Sequence, residues 1–146
     1  MKNCVVYIDH DNIKFSKYDK IICELFKSYN TTIKIFINEN ELKYIDNINK
    51  LKYNLFLCNS PAKTKNSADI SLTIECMKDI CSNLYDIFII ISNDTDFIPL
   101  CKEIKSKNKD CYLCYDGNFN SYLNEIYDKT YNLSYFLKLE NDKKQR

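Results

Sequence analysis

Glycine is almost missing from this chain: Gly117 is the only one in 146 residues. A phosphate-binding loop of the P-loop or dinucleotide type needs several positions without a Cβ, so both are excluded. Histidine is equally scarce, with His10 alone. The single CxxC, Cys111-Tyr112-Leu113-Cys114, has no second pair to complete a zinc site. Long apolar runs are missing too. None approaches the roughly 20 residues that span a bilayer, so no membrane partner is expected. The opening MKNCVVYIDHDN turns acidic too soon for a signal peptide. An intracellular, cytoplasmic protein is therefore expected. A net charge of +1 supplies no global basic field, and any polyanion would have to be held by a local patch.

What is present is a globular composition, 45% hydrophobic and 28% charged, in a chain of single-domain length. The bias toward Lys, Asn, Ile and Tyr reflects genome base composition as readily as any property of the protein. The eight cysteines fall in apolar strand-like runs (Cys4, Cys58, Cys111, Cys114) or in helical stretches (Cys76, Cys81, Cys101), with Cys23 the eighth. They read as reduced thiols acting as small apolar side chains.

Five short apolar runs predict strands: Cys4–Ile8, Ile33–Ile37, Leu55–Cys58, Ile87–Ile91 and Cys111–Tyr115. Helical periodicity separates them. Tyr18–Tyr29 carries Ile21, Ile22, Leu25 and Phe26. Ser67–Leu84 repeats Ile70, Ile74, Met77 and Cys81, and Thr95–Lys107 repeats Ile98, Cys101 and Ile104 behind an N-cap at Asp94 or Thr95. Glu39–Lys50 and Asn118–Tyr127 are weaker helices, and Asn59–Asn66 is a loop. This alternation predicts an α/β domain with a parallel sheet and right-handed crossovers over residues 1–139, followed by a polar tail, 140–146.

Sites in such sheets form beyond the carboxyl ends of the strands. Asp9-His10-Asp11-Asn12 follows the first apolar strand, and Ser92-Asn93-Asp94-Thr95-Asp96 follows the fourth. Asp69 sits in the first turn of the helix that begins at Ser67. If strands one and four are neighbours, these acids converge. Two unit charges about 4 Å apart repel by on the order of 4 kcal/mol at an effective dielectric near 20, so the group needs a cation or protons. Hard oxygen donors without His or Cys suit Mg²⁺ or Mn²⁺, and the chemistry such ions support is phosphodiester hydrolysis. Taken singly, Asp94 reads as a helix cap and Asp69 as a carboxylate favoured by a helix N-terminus. Asp9, directly after a fully apolar strand, has no such plain explanation. His10 and Asp11 read as exposed loop residues.

At these residues the chain resembles the NYN domain family, the LabA-like branch of the PIN-like nucleases. Val6-Tyr7-Ile8-Asp9 followed by Asn12 looks like the family's opening strand and acid-x-x-Asn motif. Lys65-Asn66-Ser67-Ala68-Asp69-Ile70-Ser71-Leu72 is similar to its Lys-Asn-x-Ala-Asp-Ile-x-Leu segment. Ile91-Ser92-Asn93-Asp94-Thr95-Asp96-Phe97 matches its Ser-x-Asp-x-Asp-Phe signature, and Ser121, Leu123, Asp128 and Tyr131 resemble its final turn and strand. The resemblance implies a three-layer α/β/α domain with about five parallel strands in the order 3-2-1-4-5. It also implies a ribonuclease whose Mg²⁺ or Mn²⁺ is held by Asp9, Asp69, Asp94 and Asp96. Asp9 and Asp94 are the expected principal ligands, completed by Asp69 and Asp96. Asn12, Ser92 and Lys65 would orient ligands or contact phosphate; Lys63 reads as solvated loop charge. Glu75 stands where the family usually has Asp, roughly 120° round the helix from Asp69, as an auxiliary acid. Asp116 replaces a glycine near the site edge and would support it.

The expected partner is RNA, single-stranded, and the fold class leaves room for a homodimer. Two rivals remain. One is a catalytically inactive RNA-binding or scaffold domain that keeps the fold. The other is a Mg²⁺-dependent phosphatase of the haloacid-dehalogenase type with Asp9 as nucleophile. It lacks the expected threonine, since Ile13 stands there, and has no place for the Lys65–Asp69 segment. Most of the twelve tyrosines are expected in the core or its rim. Tyr115, Phe119 and Tyr122 fall near the acids without an assigned stacking role.

Overall fold

The computed structural model describes residues 1–38, 53–58, 67–118 and 120–145. The expected helix at Glu39–Lys50, the loop Asn59–Asn66 with Lys63 and Lys65, and Phe119 lie outside these residues. The strands are β1 (Asn3–Asp9), β2 (Asn30–Asn38), β3 (Tyr53–Cys58), β4 (Ile87–Ile91), β5 (Asp110–Tyr115) and β6 (Lys129–Asn132). They form one sheet in the order β3-β2-β1-β4-β5-β6, with every pair parallel. The expected order holds, extended by a sixth strand. β6 contains Tyr131, where the chain resembles the family's final strand, but an edge strand of four residues, none of them buried, has no continuous apolar run to mark it.

The helices are α1 (Phe15–Leu25), α2 (Ser67–Ser82), α3 (Ile98–Ser106), α4 (Leu123–Ile126) and α5 (Leu133–Lys144). Strand residues alternate between two cores, as the two-residue period requires. Cys4, Val6 and Ile8 pack with α1 and Leu133 of α5, and Val5 and Tyr7 pack with α2 and α3. All five residues of β4 are buried. The sheet thus lies between two helical layers. Asp9, two residues beyond Tyr7, takes the α2 side at the carboxyl edge.

Helix boundaries follow local chemistry. Asp94 caps a 3₁₀ turn at Thr95–Phe97 that leads into α3, and Pro99 occupies the first turn of α3, where a missing N–H is harmless. With glycine nearly absent, Asn83 and Asn108 supply the left-handed residue (φ 58° and 62°) beyond α2 and α3. The expected Asn118–Tyr127 helix contracts to the single turn α4. α5, capped by Asn132, carries the chain helically through Lys144, its last turns made by the polar, exposed residues 140–144. No described helix is long and apolar enough to cross a membrane.

The largest difference from the sequence reading is the rotation of α2. Its buried face is Ala68, Leu72, Cys76, Asp79 and Ile80, while Ile70, Ile74, Met77 and Cys81 face solvent. Polar pairing decides this. Lys34, in the middle of β2, is buried and donates to Asp79 at 2.7 Å and to Glu75 at 2.9 Å. Tyr7 Oη donates to the same Asp79 carboxylate at 2.5 Å. Burial pulls the Lys34 ammonium toward neutrality, but the two carboxylates outweigh it and hold it protonated above its usual range. Turning the apolar stripe inward would leave Lys34 buried without a counter-ion, which costs more than exposing a few methyl groups.

Candidate active site

Pairing of β1 with β4 brings their carboxyl ends side by side. Asp9 is 3% exposed and accepts a hydrogen bond on Oδ2 from Ser92 Oγ at 3.1 Å. The same hydroxyl oxygen accepts from the Asp94 backbone N–H at 3.1 Å. Ser92 therefore ties the acid of one strand to the backbone that presents the acid of the next. The Asp94 carboxylate accepts from the Asp96 N–H at 2.8 Å, capping the 3₁₀ turn.

Asp69, in the first turn of α2, bridges the other two. Its carboxyl group is hydrogen-bonded to both Asp9 and Asp94. Burial, the Asp9 charge and the bond to Asp94 together push it from its ordinary 3.8 up to about 7. Burial likewise raises Asp9, with the Asp11 and Asp94 charges adding to it and bonds from Ser92 and Asp69 opposing. The crowding of these acids thus holds both Asp9 and Asp69 above the ordinary carboxylate range.

This has a pH consequence for the metal-free protein. The folded-state value of Asp69 lies above its unfolded one, so its protonated form favours folding. That contribution is complete below about pH 4 and is lost as pH rises through about 7. The expected loss is on the order of 1 kcal/mol after solvent screening is allowed for. Urea denaturation in EDTA at about pH 5 and pH 8 measures it. Asp69→Asn should flatten that difference; an unchanged slope in the variant would exclude Asp69 as its source.

The loops that carry the acids are laced together by two asparagines. Asn12 Oδ1 accepts from the Asn93 N–H at 2.7 Å, and Asn93 Oδ1 accepts from the Asp116 N–H at 2.8 Å. The turns after β1, β4 and β5 are thereby joined. Asn93 was not singled out in the sequence, although its place between Ser92 and Asp94 was a signal. His10 was misread as exposed. It is 1% exposed, and its Nδ1 accepts from the Phe15 N–H at 3.1 Å, standing in for the cap that Lys14 does not supply to α1.

The remaining expected residues lie at the rim or elsewhere. Asp96 turns its side chain to solvent and joins the cluster through its backbone. Glu75 is held by Lys34, lower on α2 than Asp69. Asp116 packs on the opposite helical layer. Burial there is outweighed by the Ser134 and Tyr18 hydroxyls and by Lys17, which hold it below the usual carboxylate range. Asp11 and Asn12 are exposed. Lys65 lies outside the described residues. Next to Asp94 a cavity of about 40 Å³ is bordered by Ser92, Leu113, Tyr115, Leu123 and Tyr127. Tyr115 was expected near the acids; Tyr127, which burial keeps protonated above the ordinary phenol range, was not.

Among the described residues no group of three His, Cys, Asp or Glu side chains is placed to hold a metal ion. The donor set nevertheless fits a hard divalent ion in its chemistry. It is all oxygen, and crowded carboxylates that repel one another are relieved by a cation.

The family model described as the NYN domain matches residues 3–134, nearly the whole chain. The crystal structure of a protein of unknown function from Vibrio parahaemolyticus superposes with a TM-score of 0.72 at 13% identity, covering 90% of this chain and 92% of that one. The likeness shows that the two share a fold. No curated protein matches the chain in sequence.

Proposed function

Because the chain belongs to the NYN domain family, whose fold is nuclease-like, we propose that it hydrolyses RNA phosphodiester bonds at Asp9, Asp69, Asp94 and Asp96 with Mg²⁺ or Mn²⁺ as cofactor. The observation that supports this reading is the convergence of Asp9, Asp69 and Asp94 at one sheet edge, with Ser92 tying Asp9 to the backbone of Asp94. A structural carboxylate is normally paired with a cation or with backbone donors, whereas a carboxylate crowded by two others is usually kept for a ligand.

A divalent ion held there supplies polarisation of the phosphate and activation of water. The protein's own residues prepare the place. Asp9 and Asp94 present oxygens from the ends of two adjacent strands, which fixes their separation through the sheet. Asp69 would have to release its proton to hold a cation, so affinity should rise with pH through about 7. Asp96 at the rim completes the oxygen set, and Asn12 with Asn93 holds the loops in register. Lys65 is assigned to lead phosphates in, and single-stranded RNA is the proposed partner.

Ser92 aims the Asp9 carboxylate. Ser92→Ala is therefore expected to lower cleavage about 10- to 100-fold, the usual effect of losing a bond that orients a ligand. Initial rates on labelled RNA measure it; a rate equal to wild type would remove Ser92 from the site. The substrate class is tested by offering labelled single-stranded RNA and DNA of one sequence with Mn²⁺. RNA should be cut and DNA spared. Cleavage of DNA alone would overturn the RNA assignment.

A further inference from the structure

Tyr127 stands between α4 and β6 and borders the cavity of about 40 Å³ beside Asp94. It is 3% exposed, and its side chain packs with the core on the α2 and α3 side of the sheet. A tyrosine this buried usually pairs its hydroxyl with another protein group. The Tyr127 hydroxyl makes no hydrogen bond among the described residues. Nor is it sealed inside, because among those residues Tyr18 Oη is the one buried side-chain polar atom without a partner. The unpaired Tyr127 hydroxyl therefore opens onto the cavity that its ring borders.

Size and charge say what that hydroxyl is placed to meet. A water needs roughly 10–15 Å³ of such space, so the cavity takes a hydroxyl-sized group. Pockets that enclose a whole small molecule are roughly 300–1,000 Å³, which excludes a nucleobase. No Lys or Arg is among the described residues that line the cavity, and Asp94 adds a carboxylate to its wall. A phosphate oxygen would be repelled there. Leu113 and Leu123 make much of the rest of the wall apolar. What fits is a small neutral group able to accept from a phenol, and on an RNA strand the ribose 2′-hydroxyl is such a group.

We propose that the Tyr127 hydroxyl binds the ribose 2′-hydroxyl of the nucleotide beside the scissile phosphate, and so makes the site prefer RNA to DNA. The inference rests on the proposed function in one respect, the placing of that phosphate at Asp9 and Asp94. A deoxyribose presents only C–H at the same point. It would cover the Tyr127 hydroxyl and leave it unpaired, which costs more than having no hydroxyl there at all. Phenylalanine at 127 keeps the ring and its packing and removes both the bond and the penalty.

Fluorescence anisotropy tests this with the full chain, using labelled single-stranded RNA and DNA of one sequence with Ca²⁺ as the hard cation. Wild type should bind RNA about 10-fold more tightly than DNA, the size of one neutral hydrogen bond. Tyr127→Phe should lose that preference by weakening on RNA alone, with an unchanged circular dichroism spectrum. In a series of RNAs carrying one 2′-deoxy nucleotide each, a single position should weaken wild type by the same factor and leave Tyr127→Phe unaffected. Wild type that binds both strands alike or binds neither, equal weakening of Tyr127→Phe on RNA and DNA, or a preference that survives in Tyr127→Phe would each overturn the proposal. Cleavage assays in Mn²⁺ on the same preparations separate the two readings. An RNA preference that depends on Tyr127, without cleavage, would remove hydrolysis and leave this inference standing; cleavage without that preference would do the reverse.

Discussion

Asp94→Asn is expected to lower RNA cleavage by on the order of 10³-fold, the equivalent of several kcal/mol of transition-state stabilisation. The fold should remain intact. Asn keeps the side-chain oxygen that accepts from the Asp96 N–H at 2.8 Å, and Asn and Asp cap helices about equally well. What the variant loses is the charge, and with it the competition for a proton. Asp69 is raised partly by Asp94, so removing that carboxylate's charge should let Asp69 ionise at lower pH. The variant would then combine a dead site with a normal or slightly higher melting temperature in EDTA. Cleavage and thermal melts on the same preparation check both halves. A variant that is inactive because it is unfolded would not support the assignment, and an active one would contradict it.

Lys34→Met is expected to destabilise the fold by about 3–5 kcal/mol, the cost of leaving buried acids without their cation. Asp79 is 7% exposed and, among the described residues, its carboxylate would keep only the Tyr7 hydroxyl as a partner. Against a typical total of about 5–15 kcal/mol the loss is a large fraction. Methionine has nearly the length of the lysine stem, so little of the effect comes from a cavity. Adding Asp79→Asn and Glu75→Gln to the same chain should recover much of the stability, because the penalty is charge and not shape. Urea denaturation midpoints of the single and triple variants make the comparison. If Lys34→Met costs less than about 1 kcal/mol, the pairing is a surface-like one and cannot have fixed the rotation of α2.

That rotation marks where sequence reading stopped. The apolar strands were legible because a strand covered on both faces must be continuously apolar, and Ile87–Ile91 is nothing else. Asp9, Asp69 and Asp94 were legible as a group because each stands where an element ends or begins at one sheet edge. α2 carries two apolar stripes, and periodicity alone cannot tell which faces inward. The clue was Lys34 within Ile33-Lys34-Ile35-Phe36-Ile37: a lysine inside such a run needs a buried acid, and Asp79 lies on only one of the two stripes. Glu75 was drawn toward the site for the same reason, its role in neutralising Lys34 being invisible until β2 and α2 were in contact. β6 was marked only by the resemblance at Tyr131, and the start of α5 was hidden by its mixed polarity. His10 was hidden because a single buried side chain that accepts from one backbone N–H leaves no periodic trace.

The acids at the ends of β1 and β4 are proposed to make this fold a metal-dependent ribonuclease. This is tested most directly by incubating wild type and Asp94→Asn with end-labelled single-stranded RNA in Mn²⁺ and in EDTA. Wild type should cleave the RNA in Mn²⁺ alone, with the other three reactions silent. Cleavage that persists in EDTA, or that is equal in the variant, would contradict it.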